Sequence, residues 1–428
     1  MRIRAITIGQ KIPIFYEFLE TEEAFLEEKL EKFKGFYNDL SEEFEKINIP
    51  VDTKRICSQP LLLYENQLKY RKDVQETLSL LHEEFSILQT LFKKFEIDYF
   101  ACSTMLADEL GHFGIFEKLI LNEFDKYLKE FPSLFTSLPV ISEKKISFPA
   151  LKSAVKIIKK LSEPDPFKNL QFCVSCNVPP NTPFFPAAYH RNSDKPAFSL
   201  ALEMADEVIK VFNKASNLSE AKINLRKRFD EIYEDVLKIS ERVSYKYDIE
   251  FIGMDLTPAP FPKFDRSIGT AIESLGIEYF GGYGSLFGIG LITNCIPKKE
   301  KIIGFSGVMQ PVFEDFIISL RLKEKKLNID TLLLYSTVCG TVLDCVPLPG
   351  DISERELFYI LLDLSTISIT HNKPLTARLM PIPGKKAGDD VKFDFEYFAP
   401  SKVMDIKRLT DSKKNDIFNR NEDTFDFL

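Results

Sequence analysis

Residues 375–390 read Leu-Thr-Ala-Arg-Leu-Met-Pro-Ile-Pro-Gly-Lys-Lys-Ala-Gly-Asp-Asp, a strand-like alternation running into a tight, doubly cationic loop. Just upstream, Ser353 opens a helix with Glu356 at the capping-box position, and His371, Asn372 and Pro374 close it. A helix that hands the chain to a strand is half of a βαβ unit, and the same alternation recurs along the sequence. Strands are expected at residues 2–9, 51–58, 98–103, 170–178 and 250–255. Helices are expected at 21–47, with a break near Gly35, and at 66–95, 116–131, 148–161, 197–212, 219–245, 267–275 and 286–295. Strands alternating with helices predict an α/β fold with a mostly parallel sheet and crossover helices. No clean linker or internal repeat interrupts the pattern. One integrated domain over residues 1–408 is expected, with helical insertions in its first half. A polar tail, 409–428, either frays or docks on a neighbour.

Composition narrows the function classes. The chain has 428 residues and a net charge of −8, which argues against a nucleic-acid or anionic-membrane binder. No apolar tract is long enough to span a bilayer, and the opening Met-Arg-Ile-Arg-Ala-Ile-Thr-Ile reads as a strand rather than a signal peptide; a cytoplasmic address is expected. Seven cysteines at irregular spacing do not describe a disulfide scaffold. The lack of Trp, scarce His and abundant Lys, Glu and Ile fit a thermophilic source.

Several groups are candidates for chemistry. Cys339, in Ser-Thr-Val-Cys-Gly, is expected just after an apolar strand, where strand ends deliver side chains into α/β sites. Beside a permissive Gly340 it is either a nucleophile, if a cation lowers its pKa, or a small core residue. Cys173 and Cys176 lack a second ligand pair, and residues three apart on a strand face opposite sides, so neither metal nor redox work is expected of them. No metal site is expected, and the cofactor is unknown: the Gly-rich run at 280–290 is neither a Walker-type loop nor a clean dinucleotide fingerprint. Arg378, if it points inward, needs a carboxylate from among Glu314, Asp315, Asp255 and Asp344. A structural ion pair and a pocket for an anion both remain open. Lys385 and Lys386 add two ammonium groups on a Gly-flanked turn, and His190 ends a rigid Pro- and Phe-rich loop. The Gly-rich run at 280–290, with Gly281, Gly282 and Gly284, opens a helix and either holds an anion or lets the helix pack closely.

In these motifs the chain resembles the domain-of-unknown-function 711 family. The resemblance rests on Ile-Arg-Ala-Ile-Thr-Ile-Gly at the start, Phe-Phe-Pro-Ala-Ala-Tyr-His, Thr-Pro-Ala-Pro after Asp255, Ser-Gly-Val-Met-Gln-Pro-Val-Phe-Glu-Asp, Ser-Thr-Val-Cys-Gly-Thr-Val-Leu-Asp and Ala-Arg-Leu-Met-Pro-Ile-Pro-Gly-Lys-Lys-Ala-Gly-Asp. It implies a ten-stranded α/β barrel like that of the pyruvate formate-lyase and ribonucleotide reductase group, in two antiparallel-oriented halves, and homo-oligomers, as dimers. There a finger loop carries a cysteine into the barrel, and Cys339 matches that part. The Arg-Val-x-Gly-aromatic glycyl-radical run near the C-terminus is missing. The expectation is therefore a non-radical enzyme, a hydrolase or lyase acting on a small anionic metabolite. Cys339 is its thiol, Glu314 and Asp315 carry protons, and Arg378, Lys385, Lys386, His190 and the glycine loop bind substrate. The alternative is a non-catalytic small-ligand-binding or structural oligomeric protein.

Overall fold

Five short strands, β1 (Arg2–Gly9), β2 (Lys54–Cys57), β3 (Tyr99–Ser103), β4 (Leu134–Pro139) and β5 (Phe172–Cys176), lie parallel and side by side in chain order. The computed structural model describes residues 1–12, 20–62, 73–191, 193–341, 343–410, 416–420 and 422–427. Helices α1 (Glu20–Glu45), α2 (Val74–Lys94), α3 (Ile115–Glu130) and α4 (Phe148–Leu161) connect these strands. Each starts where the local chemistry stops extended chain. Asp73 caps α2 by accepting from the amides of Gln75 and Glu76, and Ser147 caps α4 ahead of Pro149. The part of the expected 66–95 helix before residue 73 lies outside the described residues.

The second half runs the other way. Strand β6 (Ala197–Glu203) pairs antiparallel with β1, and β7 (Glu250–Ala259) pairs parallel with β6, with α5 (Ala205–Lys214) and α6 (Leu218–Tyr247) between them. At the far end, β8 (Leu343–Pro349) and β9 (Leu375–Ile382) are parallel to each other, joined by a helix, Glu354–His371, with the Ser353–Glu356 capping box in place. Strand β9 pairs antiparallel with β5. The spatial order is β8-β9-β5-β4-β3-β2-β1-β6-β7, so the sheet is large and mostly parallel with two changes of direction.

Residues 301–312 run between the two outer strands. Ile302 makes a parallel bridge to Met254 on β7, and Met309 makes one to Thr341 just before β8. The amides of Ile303, Gln310 and Val312 donate to the carbonyls of Met254, Thr341 and Asp344. Glycines permit this approach. A Cβ on Gly253 would lie 2.5 Å from the Lys301 carbonyl, and one on Gly307 would lie 2.6 Å from the Gly340 amide. The principal apolar cluster draws buried residues from Ile3 to Ile406, so both halves share it.

Four sequence expectations change. Residues 197–212 are not one helix: Ala197–Glu203 is a strand, buried at every position, and the helix starts at Ala205. Helix α1 continues through Gly35, whose missing side chain leaves room for the Tyr247 ring; a Cβ there would sit 3.3 Å from the Tyr247 hydroxyl. The segment before Cys339 is a helix, Ile329–Tyr335, not a strand. The described part of the tail docks on its own chain: Thr424–Asp426 pairs with Lys145–Ser147, Phe425 stacks on Phe148, and the Tyr359 hydroxyl donates to Asp416 at 2.6 Å.

Candidate active site

A cavity of about 250 Å³ lies among residues from eight of the nine strands and from residues 305–311. Arg4 comes from β1, Arg55 from β2, Tyr99 from β3, Phe135 from β4 and Cys173 from β5. Ala259 comes from β7, Asp344 from β8, and Thr376 and Arg378 from β9. Asp52 and Thr53 precede β2, and Phe395, Glu396 and Tyr397 close over the space from beyond β9. Its walls are thus the amino ends of β1–β5 facing the oppositely directed second half.

Charge in and behind the wall is arranged as an alternating chain, of which Arg4, Asp52, Glu314, Asp344 and Arg378 line the cavity. Arg266 pairs with Glu203, which Arg4 also meets at 3.0 Å; Arg4 reaches Glu314 at 2.6 Å. Arg378 joins Glu314 at 2.9 Å to Asp344, to which it donates from Nε and, at 2.8 Å, from Nη2. Such forked pairs satisfy carboxylates that burial would otherwise penalise. Burial pushes Glu314 up, but Arg378 and Arg4 together outweigh it and hold the carboxyl below its ordinary value. At the edge of the chain, Arg2 meets Asp52 at 2.7 Å.

A bulge produces part of this geometry. The β8–β9 register shifts between Leu343 and Val346, and Cys345 sits there with φ +49°. A left-handed non-glycine residue inside a strand re-aims its neighbours. Asp344 turns to Arg378, and the Cys345 thiol points at Glu314, 3.5 Å away. Ligand atoms of Glu314, Asp344 and Cys345 come within 4.8 Å of one another, the spacing of a metal site. Two guanidiniums already occupy the carboxylate oxygens, and a cation there would have to displace them.

Arg55 stands apart from the chain. Its Nε donates to the Thr53 hydroxyl at 2.9 Å, and its guanidinium lies 5.1 Å from the Phe185 ring and 5.6 Å from that of Tyr99. Among the described residues no carboxylate pairs with it. Burial and the nearby charge of Arg4 lower its pKa to about 10, which still leaves it cationic at neutral pH. Asp52 is also incompletely partnered: Oδ1 accepts from Arg2, but the buried Oδ2 accepts nothing among the described residues.

Of the residues singled out in the sequence, Arg378 and Glu314 line the cavity, and Asp344 is Arg378's second partner. The others serve elsewhere. Asp315 is buried as a double cap, accepting from Ser267 Oγ, Ile268 N and Gly269 N on one helix and from Ile318 N on another. Asp255 orders the 305–306 turn through the amides of Phe305 and Ser306. His190 is buried, its ring held by Asn181 and the Ser193 carbonyl. Lys385 and Lys386 are exposed on their loop. Gly281 and Gly284 have positive φ, and the Gly281 amide goes to Ser285 Oγ, so this loop packs rather than lining the cavity. Cys339 is buried outside the cavity wall, its carbonyl rather than its thiol meets Lys373, and burial pushes the thiol up to about 12. Cys173 and Cys176 do point to opposite faces, the first to the cavity and the second toward Ser365.

Arg4, Asp52, Arg55, Tyr99 and Tyr397 were not singled out. The signal available for them was weak: a charged residue placed among the apolar positions of a strand, as in Arg-Ile-Arg-Ala-Ile and Thr-Lys-Arg-Ile-Cys.

The uncharacterised ACR family model, DUF711, matches residues 1–401. The chain belongs to this family. It is 27% identical over 437 residues to a UPF0210 protein of Pyrobaculum aerophilum, covering 95% of this chain and 91% of that one. A UPF0210 protein of Caldicellulosiruptor saccharolyticus is 25% identical over 433 residues, with the same coverage. One from Oenococcus oeni is 26% identical over 296 residues, 65% of this chain and 64% of its own. Their names assign no activity, and function is read from the cavity itself. No helix of the described residues is long and apolar enough to cross a membrane.

Proposed function

We propose that this chain is an enzyme of the hydrolase or lyase type that takes a small anionic metabolite into the interior of a ten-stranded barrel. Residues 301–312 would be the tenth strand; the bridges to β7 and β8, and a single cavity drawing on both outer strands, support closure. The observation that carries the function is Arg55, a guanidinium in the cavity wall with aromatic rings beside it and no carboxylate of its own among the described residues. Burying an uncompensated cation costs stability, and a bound anion offsets that cost. Thr53 positions the guanidinium through Nε, and among the described residues the two Nη groups have no hydrogen-bond acceptor, which leaves them for the ligand. Glu314, held ionised between two arginines, is an electrostatic support rather than a proton carrier. The chemistry runs without Cys339, whose thiol lies outside the cavity wall.

The test is a thermal-shift screen of small carboxylates and phosphate esters on the wild type and on Arg55→Met. At least one anion should raise the wild-type melting temperature and leave the variant's unchanged. Equal shifts in both proteins, or none in the wild type, would sink the reading.

A further inference from the structure

We infer that the ligand has a single polar end, an acid group held jointly by Arg55 and Tyr99, and an apolar body, so that the cavity takes amphiphilic acids and refuses polyhydroxylated ones. This rests on the anion-site reading above and sharpens it to a chemical class.

How many polar groups a ligand can bring depends on how many the wall leaves open. Most of the wall's polar side chains are committed to one another. Arg4 and Arg378 grip Glu314, and Arg378 also forks onto Asp344. The hydroxyls of Thr341 and Thr376 meet at 2.9 Å. Thr53 donates to the Arg4 carbonyl at 2.8 Å and accepts from Arg55. Asp52 turns Oδ1 to Arg2 and keeps Oδ2 buried. Glu396 is exposed, and solvent serves its carboxylate. Among the described residues, what stays open to a ligand is chiefly the Nη pair of Arg55 and the hydroxyls of Tyr99 and Tyr397, residues that border the cavity and keep part of their surface accessible.

Two of these groups stand side by side. Arg55 and Tyr99 are register partners on the adjacent parallel strands β2 and β3, so their side chains leave the same face of the sheet as neighbours. The Tyr99 ring centroid lies 5.6 Å from the guanidinium, near enough for one acid group to accept from both side chains. Both can donate, which suits an ionised acid that only accepts. Tyr397 lies instead over Arg4, at 4.6 Å, beside the ion chain. Further hydroxyls on a ligand would give up water and find the wall's partners taken, a loss of about 10-fold in affinity for each. The remaining wall offers apolar contact. Cys173, Ala187, Phe305 and Met309 form a buried apolar cluster with Phe184 packed against it, and all five border the cavity. The thioether of Met309 adapts to flat or irregular apolar groups, so this cluster suits the body of the ligand.

The experiment is isothermal titration of the full chain with two matched pairs of probes. Phenylacetate and gluconate share a carboxylate, and phenyl phosphate and glucose 6-phosphate share a phosphate monoester. In at least one pair the apolar-bodied member should bind the wild type about 10–100-fold more tightly than its polyhydroxylated partner. Tyr99→Phe should weaken that member about 10-fold with the urea midpoint unchanged, and Arg55→Met should weaken it further. The pair comparison needs no variant, so a misfolded mutant does not blunt it. Polyhydroxylated probes that bind as tightly as their partners would overturn the single-ended class. A loss on Arg55→Met with none on Tyr99→Phe would overturn the joint grip while leaving the anion site standing. If no probe binds the wild type the inference falls, and the anion-site reading falls with it only when the thermal-shift screen is also blank.

Discussion

Arg55 is a residue the fold carries at a loss. Without a partner carboxylate among the described residues, and with Arg4 repelling it, its burial should make the ligand-free protein less stable than it need be. Arg55→Met is therefore expected to stabilise the protein by about 1 kcal/mol in urea melts. Arg378→Met, which leaves Asp344 and one side of Glu314 uncompensated, should destabilise it by about 3–5 kcal/mol. Two arginines of one cavity would thus shift stability in opposite directions, a result that packing alone does not give. Glu314 supplies a pH test. Its folded pKa is depressed, so its contribution is complete above the ordinary glutamate value of about 4.3 and is lost as pH falls through the lower folded value. The stability gap between wild type and Glu314→Gln should accordingly be constant from pH 7 to 5 and shrink below about pH 4. At this scale the sequence was half legible. Arg378 and the acids able to face it were visible because a strand alternation directed the arginine inward. Arg55 was not, because only the absence of a partner distinguishes it, and absence shows only in three dimensions.

Helix and strand boundaries were more legible where a side chain closes the backbone locally. Ser353 with Glu356 marks a helix start in sequence and in space, and Ser147 caps the helix expected at 148–161. Misreadings came where tertiary contact overrode local preference. Gly35 does not break α1, because Tyr247 packs into its vacancy. Ala-Phe-Ser-Leu-Ala-Leu-Glu has helix-forming residues but becomes β6, since β1 and β7 take its hydrogen bonds on both sides. Asp315 belongs to this scale too. It looked like a proton carrier from its neighbour Glu314, yet its carboxylate fixes one helix start against another through four donors. Asp315→Ala should cost about 3 kcal/mol by leaving those donors unsatisfied, without changing the affinity of any ligand that binds the cavity. Chemical denaturation paired with a titration would separate the two effects.

At the scale of the molecule, the proposed closure depends on places where backbone meets backbone. Gly307 and Gly340 are within Cβ-clash distance of each other's main chain, and no flexible side chain can yield there. Gly307→Val should destabilise by about 1–3 kcal/mol and raise amide exchange at Gln310 and Val312, measured by hydrogen–deuterium exchange. Unchanged exchange would count against a tenth strand. Alternating strands and helices made the α/β class readable, whereas strand order and closure hang on contacts hundreds of residues apart. That spacing bears on how the chain is made. Strands β1 to β5 leave the ribosome as a block, but β1 gains its other neighbour only when residue 197 arrives, and β5 waits for residue 375. From residue 176 to residue 203 the nascent block carries two bare hydrogen-bonding edges, and the β5 edge stays bare until β9 arrives, an invitation to pair with another chain. A chain stalled near residue 180 is the form of this protein most in need of a chaperone.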